Sequence, residues 1–214
     1  MIRLDDVFVR AGLFRIAGVS FEIGKGECVA LMGKSGSGKT TIMEAVCGLR
    51  EVVHGRILIG DEDRTFSQPS ERNVGLVPQD NVLFMTMTVR EHLAYGPLLK
   101  KWDKPAIEKR VQEVAKELRI EHLLDRKPRW LSGGEAKRVA IGRAIAAKPD
   151  LLCLDESFTG LDDETLTEVM NVVKETIKHE QISTLLITHH ESEANYLADT
   201  QFHIQDDGSL LKRE

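Results

Sequence analysis

Residues 33–40 lie between the apolar run Cys28–Met32 and the start of an amphipathic helical pattern. Their letters, GKSGSGKT, match the G-x-x-x-x-G-K-[ST] phosphate loop in the strand–loop–helix context that the motif requires. Glycines let backbone N–H groups converge on phosphate oxygens, and the N-terminus of the following helix adds the positive end of its dipole. The sequence therefore predicts that this loop binds a nucleoside triphosphate.

Two side chains of this loop have specific expected contacts. Lys39 should reach the β- and γ-phosphates, and the Thr40 hydroxyl should ligate Mg²⁺. The residues predicted to bind the nucleotide are Gly33, Lys34, Ser35, Gly36, Ser37, Gly38, Lys39, Thr40 and Thr41.

Composition excludes several function classes. The 214 residues carry a formal net charge of −5, whereas a dedicated nucleic-acid binder normally carries a basic stripe. The three cysteines are isolated and form no zinc-binding pattern. We expect no membrane-spanning segment, since no window approaches eighteen consecutive apolar residues. Any role at a membrane must then come through a partner.

The pattern along the chain predicts an α/β fold. Short strands are expected at residues 2–4, 19–23, 28–32, 56–59 and 74–77, helices between 88 and 130, and a hairpin at 206–208. The continuous apolar runs 151–154 and 184–187 are typical of parallel strands covered on both faces. We predict a P-loop NTPase parallel-sheet core with an N-terminal antiparallel β portion. The core would comprise 1–79 and 146–214, with 80–145 as an inserted helical subdomain.

Two adjacent carboxylates, Asp155 and Glu156, end one of these buried strands. A carboxylate at this edge can hold Mg²⁺ through water, which suits Asp155, and its neighbour can polarise the attacking water, which suits Glu156. The alternative is that both simply cap the next helix. The phosphate loop upstream favours the catalytic interpretation.

A second segment also suits phosphate binding. Ser132, Gly133 and Gly134 precede a helical pattern, so their backbone N–H groups would face an anion. One phosphate loop suffices to hold one nucleotide. The second anion site therefore needs a separate explanation.

The order of these motifs resembles the ATP-binding cassette (ABC) family. The phosphate loop, Gln79 after a short strand, the Leu131–Gly134 letters LSGG, the acidic pair, Leu161-Asp162 and Thr188-His189 follow one another as in that family. The resemblance implies a head-to-tail homodimer with each ATP held between one subunit's phosphate loop and the other's glycine-rich helix start. It implies catalytic roles for Glu156, His189, Gln79 and Lys39, and Mg²⁺ ligation by Thr40, Gln79 and Asp155. It implies contacts to the partner's nucleotide from Ser132, Gly133, Gly134, Glu135 and Asp162.

Four positions depart from the family pattern, among them Ser157 and Gly160 near Leu161-Asp162. Glu135 stands where the family usually has Gln, and Ala11 stands where an aromatic residue usually stacks on adenine. Phe8 and Phe14 are the nearby candidates for that stacking role.

Residues 79–91 resemble the importer ATPases of the molybdate, sulfate, iron, polyamine and thiamine type. An exposed cluster of Leu83, Phe84, Met85 and Met87 would suit a groove for a helix of a transmembrane permease; the alternative is that it forms core. Many members of that group add a C-terminal regulatory domain, which this sequence is not expected to contain.

The resemblance thus implies an ATPase of a bacterial importer, on the inner face of the cell membrane, with permease subunits and a substrate-binding protein as candidate partners and no nucleic acid. Alternatives are an exporter, lipoprotein-release or cell-division ATPase. A soluble non-transport ATPase of the structural-maintenance type is disfavoured because no heptad run separates Thr40 from Asp155.

Overall fold

The computed structural model describes residues 1–11, 14–80, 82–205 and 208–213, apart from the side chains of 11, 14, 15 and 17. The strands are β1 (Ile2–Ala11), β2 (Phe14–Ile23), β3 (Cys28–Met32), β4 (Val52–Ile59), β5 (Glu62–Asp63), β6 (Val74–Val77), β7 (Leu151–Asp155), β8 (Ser183–Ile187), β9 (Thr200–Ile204) and β10 (Leu210–Arg213). The helices are α1 (Lys39–Val46), α2 (Val89–Leu99), α3 (Lys104–Glu117), α4 (Gly133–Ala146), α5 (Asp163–Glu180) and α6 (Glu191–Leu197).

The central sheet has the strand order β10-β9-β3-β8-β7-β6. Strands β9, β3, β8, β7 and β6 pair in parallel, and β10 pairs antiparallel with β9. Every residue of β3 and β8 is buried, as is typical of parallel strands covered on both faces. The predicted parallel α/β core is confirmed. Of the hairpin predicted at 206–208, Asp206 and Asp207 lie outside the described residues.

The second sheet is antiparallel, with the order β2-β1-β4-β5. Strands β1 and β2 are longer than the sequence predicted. Their pairing register shifts between Leu4 and Val7 and again between Val7 and Val9. Asp6 has a φ of +48° at this irregularity. A bulge of this kind interrupts the alternation of polar and apolar residues that identifies a strand in a sequence.

Side chains of the central strands point alternately to two hydrophobic layers. Cys28, Ala30 and Met32 face the layer built with helices α2 to α5, whereas Val29 and Leu31 face the layer built with α1 and the antiparallel sheet. The phosphate loop and the inserted helices are thus attached to the same strands from opposite faces. The division into a core and an inserted subdomain at 80–145 stays a prediction.

Helix α3 lies within the region 88–130 where the sequence predicted helices. The carboxylate of Asp103 accepts the Ala106 N–H at 2.8 Å and so caps the helix. Ile107, Val111 and Val114 are buried along one face. Among the described helices, none is long and apolar enough to cross a membrane.

Helix α1 ends at Val46. Leu49 lies beyond the helix and is 54 % exposed. The buried Arg72 donates to Ala45 O at 2.7 Å and to Val46 O at 3.0 Å. Its guanidinium therefore supplies hydrogen-bond donors to carbonyl oxygens in the last turn of α1. Gly48 has a φ of +79°, and a Cβ there would meet Arg72 Nε at 2.6 Å. Gly48 therefore follows the end of α1 at a position that requires glycine both in backbone conformation and in space.

We predict that Arg72→Met destabilises the fold by about 3 kcal/mol, because it leaves several buried carbonyls without donors. Arg50→Met is the control, since Arg50 makes only a surface ion pair with Glu44 and should lose less than about 1 kcal/mol. Urea unfolding gives both values. Equal losses in the two variants would contradict the capping role of Arg72.

Candidate nucleotide site

The phosphate loop occupies the turn between β3 and α1. Gly33, Gly36 and Gly38 have φ values of +145°, +80° and +98°, which side-chain-bearing residues rarely adopt. A Cβ at Gly33 would also lie 2.9 Å from Ser37 Oγ and 3.1 Å from Ile204 O. Glycine is therefore required here by backbone conformation as well as by space.

The side chain of Lys39 folds back over the loop. Its Nζ donates to Gly33 O and Lys34 O, both at 2.9 Å. Burial lowers the pKa of Lys39, while the nearby Glu156 and Asp155 act in the opposite direction. The ammonium group thus lies inside the loop, where an incoming phosphate would meet a partly desolvated positive charge.

The hydroxyls of the loop region also suit a polyphosphate with a cation. Ser37 Oγ is buried and has no hydrogen-bond partner among the described residues. Thr40 Oγ1 donates to Asp155 Oδ1 at 3.3 Å, which brings together a hydroxyl and a carboxylate, the oxygen donors that Mg²⁺ prefers. Thr41 lies on the first turn of α1.

Asp155 and Glu156 point in different directions. Burial raises the pKa of Asp155, and the neighbouring Glu156 adds to this, whereas the Thr40 bond opposes it. Glu156 has a φ of +43°, rare for a residue with a side chain, and its N–H donates to Ile187 O at 2.9 Å. Its Oε1 lies 3.5 Å from His189 Nδ1. The turn therefore directs one carboxylate to Thr40 and the other to the end of β8.

The capping alternative for this acidic pair is wrong. Helix α5 begins at Asp163, and its N-cap is Asp162, whose Oδ1 accepts the Thr165 N–H at 3.0 Å. Asp162 is thus a helix cap, and its contact with a partner's nucleotide stays a prediction. Asp155 and Glu156 therefore do not cap this helix, and their carboxylates are available for a different function.

An open cleft of about 730 Å³ lies beside the loop. Predicted residues on its wall are Gly33, Lys34, Ser35, Glu156 and His189, and the sequence analysis missed Glu191, His203 and Gln205. His203 pairs with Met32, the residue before the loop. Strand β9 was not predicted because it is mostly half-buried and has no continuous apolar run.

Gln79 follows β6 and is exposed. Its main-chain oxygen accepts a hydrogen bond from Lys137 Nζ at 3.4 Å. The Ser157 hydroxyl donates to Val77 O at 3.1 Å and ties the strand before Gln79 to the turn after Asp155. The structure therefore places Gln79 at the same sheet edge, and its catalytic and metal-binding roles stay predictions.

The second glycine-rich segment forms the start of α4. Ser132 Oγ accepts the Glu135 N–H at 3.3 Å, and Glu135 Oε2 accepts the Ser132 N–H at 2.7 Å. Partial burial would raise the pKa of Glu135, but the bonds from Ser132 hold it below its usual value. Ser132 and Gly133 are exposed, whereas Gly134 packs so closely that a Cβ would lie 2.5 Å from Thr165 Cγ2.

The exposed apolar residues after Gln79 are only partly those that the sequence predicted. Phe84 and Met85 are exposed, together with Val82, which the prediction had not included. Leu83 packs against the helical layer and Met87 is half-buried, so the prediction that they are exposed is wrong. We call residues 82–87 the docking segment.

The comparisons identify the family. Residues 16–159 match the ABC transporter family model. The chain belongs to the ABC transporter family. It is 41 % identical over 199 residues to the molybdate/tungstate import ATP-binding protein WtpC of Pyrococcus abyssi, covering 93 % of this chain and 58 % of that protein. It is 42 % identical over 189 residues to the sn-glycerol-3-phosphate import ATP-binding protein UgpC of Cereibacter sphaeroides, covering 88 % and 54 %.

This ABC family chain spans a little over half the length of those curated relatives. A solved dimeric ATP-binding cassette in a post-hydrolysis state, bound to ADP and Pi, superposes with a TM-score of 0.81 at 27 % identity, covering 100 % of both chains. The predicted ABC ATPase fold is confirmed.

We predict that Asp155→Asn raises the melting temperature of the nucleotide-free chain at pH 7. A carboxyl whose folded pKa is raised destabilises the fold while it is ionised, so the gain should vanish as pH falls through that raised pKa. Calorimetry at several pH values measures this. In the control Asp199→Asn the sign should reverse, because the Cys28 N–H and Lys178 lower the pKa of Asp199 despite its partial burial. A lower melting temperature for Asp155→Asn at pH 7 would contradict the account.

Proposed function

We propose that the chain binds and hydrolyses ATP with Mg²⁺ and energises import through a membrane ABC transporter. The observation that supports this most strongly is the convergence at one sheet edge of Lys39, the Thr40–Asp155 pair and the Glu156–His189 pair. The import functions of the ATP-binding relatives support the transport role.

The proposed reaction is in-line attack of water on the γ-phosphate. Glu156 takes the proton of that water, and His189, 3.5 Å away, contacts the γ-phosphate. Lys39 and the loop N–H groups stabilise the charge that develops on the phosphate oxygens. Thr40, Asp155 and Gln79 would hold Mg²⁺, which neutralises phosphate charge when bound. A positioned base contributes about 10²–10⁴ in rate, or roughly 3–5 kcal/mol.

The proposed working form is a head-to-tail homodimer. Ser132 and Gly133 are exposed at the N-terminus of α4, and within the described chain they do not line the cleft beside their own phosphate loop. They are therefore available to the ATP of a second copy. Gly134 and Glu135 follow them in the chain, and Gly134 packs against Thr165, whose N–H donates to Asp162. ATP would then stabilise the closed dimer, since it binds that state better than the open one. The dimeric structural relative supports this arrangement.

The proposed membrane partner is a permease that inserts a helix against the docking segment. Val82, Phe84 and Met85 present apolar surface directly after Gln79, which suits helix-in-groove recognition. The chain would work at the inner face of the cell membrane, bound through the permease. A substrate-binding protein would complete an importer.

We predict that Glu156→Gln retains ATP binding, loses about 10²–10⁴-fold in hydrolysis and accumulates as a dimer with ATP and Mg²⁺. Phosphate release and size-exclusion chromatography measure these properties. The control Glu175→Gln removes an exposed carboxylate that pairs with Arg119 and should keep wild-type turnover. A variant that stays monomeric with ATP would count against the proposed dimer.

We predict that Lys39→Ala weakens ATP binding by roughly 10- to 100-fold, because a charge-assisted hydrogen bond is lost. Titration with a fluorescent ATP analogue measures the affinity. Lys25→Ala, at an exposed turn, should bind like wild type. Wild-type affinity with lost turnover would show that the proposed role of Lys39 is wrong.

A further inference from the structure

The docking segment is held in place by a buried histidine. The Phe84 N–H donates to His92 Nε2 at 2.9 Å. His92 lies on α2 and is fully buried. Its ring also stacks against the Phe84 ring, with 5.8 Å between centroids.

The hydrogen bonds of His92 fix its protonation state. Nδ1 lies 2.7 Å from Thr88 O, and a carbonyl oxygen can only accept, so Nδ1 carries the proton. Nε2 accepts from the Phe84 N–H and must therefore be unprotonated. Only the neutral imidazole with hydrogen on Nδ1 satisfies both bonds. A second proton, on Nε2, would oppose the Phe84 N–H with another donor.

A second anchor comes from α4. Arg143 Nη1 donates to Val82 O at 2.6 Å, and its guanidinium lies 5.4 Å from the centroid of the Phe84 ring. The Tyr95 ring also packs against the Phe84 ring, with 5.5 Å between the two centroids. The segment is thus attached to α2 through a neutral ring and to α4 through a permanent cation. Of these two anchors, only the histidine can change charge near neutral pH.

These anchors hold an apolar surface towards water. Val82, Phe84 and Met85 are 56 %, 40 % and 61 % exposed. Burying exposed apolar side chains lowers the free energy of the chain, so these side chains tend to turn inward. The bonds to the main chain of residues 82 and 84 oppose that change, and so keep the surface formed before any partner arrives, which lowers the ordering cost of binding.

We infer that His92 is a positioning residue that holds the docking segment with its apolar side chains outward, and that a second proton on its imidazole releases the segment. The identity of the partner, a transmembrane helix, rests on the proposed function. The conformational switch itself does not depend on nucleotide or partner. Acidification would then weaken docking of the permease.

The surroundings keep the imidazole neutral at pH 7. Burial lowers the pKa of His92, the bond to Thr88 O opposes this, Arg143 on α4 lowers it further, and Glu91 beside it on α2 raises it. The folded pKa lies below the unfolded value of about 6.5. The contribution of His92 to stability is therefore complete above that value and is lost as pH falls below it.

The test is the protection of the Phe84 amide against hydrogen exchange, measured by NMR in the nucleotide-free chain from pH 7.5 to 5. Protection is the ratio of the intrinsic rate to the observed rate at each pH, which removes the ordinary pH dependence of exchange. We expect wild-type protection to fall at least tenfold on acidification. His92→Gln should keep its protection across the range, because the amide oxygen accepts the same bond and does not titrate.

Two further variants make the test specific. His92→Phe keeps a stacking ring without an acceptor and should show low Phe84 protection at every pH. His54→Gln removes an exposed imidazole on β4 and should show the wild-type transition. The Val111 amide on α3 reports global stability and should stay protected in each variant.

The inference is overturned if wild-type protection does not change with pH, or if His92→Gln shows the same transition as wild type. If His92→Phe does not fold, the comparison of wild type with His92→Gln still decides. Neither nucleotide nor permease is present, so failure here leaves the proposed ATPase untouched. If the chain did not hydrolyse ATP, the hydrogen-exchange result would still hold.

Discussion

Parallel pairing in the central sheet is the constraint on which the site depends. Strands β3, β8, β7 and β6 run in one direction, so the segments that follow them meet at one edge. The phosphate loop follows β3, the acidic pair ends β7, His189 follows β8 and Gln79 follows β6. Residues more than a hundred positions apart, such as Thr40 and Asp155, are thereby brought together. The buried strands β3 and β8 hold these segments in register, since a shift of one residue would reverse every side chain between the two hydrophobic layers.

At that edge the chain holds several groups in unfavourable states. Asp155 is partly desolvated beside another carboxylate, Lys39 is buried with its ammonium group bonded to two carbonyl oxygens, and Glu156 adopts a φ rare for its residue type. A cation near Asp155 and phosphates near Lys39 would compensate the first two. Perturbed groups clustered in a cleft are what a catalytic site requires.

Local signals in the sequence predicted much of this architecture. The glycines of the phosphate loop and the apolar runs of β3, β7 and β8 each act over a few residues, so they are visible in the letters. The missed features depend on distant contacts. Arg72 ends α1 from another part of the chain, β9 brings His203 beside the loop, and Leu83 is partly buried against helices that only the tertiary fold assembles. The bond of His92 to the Phe84 N–H belongs to this second group. No periodic pattern reports which backbone group a buried polar side chain meets.

The central claim is that one subunit completes the nucleotide site of the other through the N-terminus of α4. The most direct measurement is a crystal structure of the hydrolysis-deficient chain loaded with ATP and Mg²⁺. The account predicts that Ser132 Oγ of one copy lies about 3 Å from a γ-phosphate oxygen held by the phosphate loop of the other. A structure in which residues 132–134 face solvent, while the nucleotide is bound by a single chain, would contradict it.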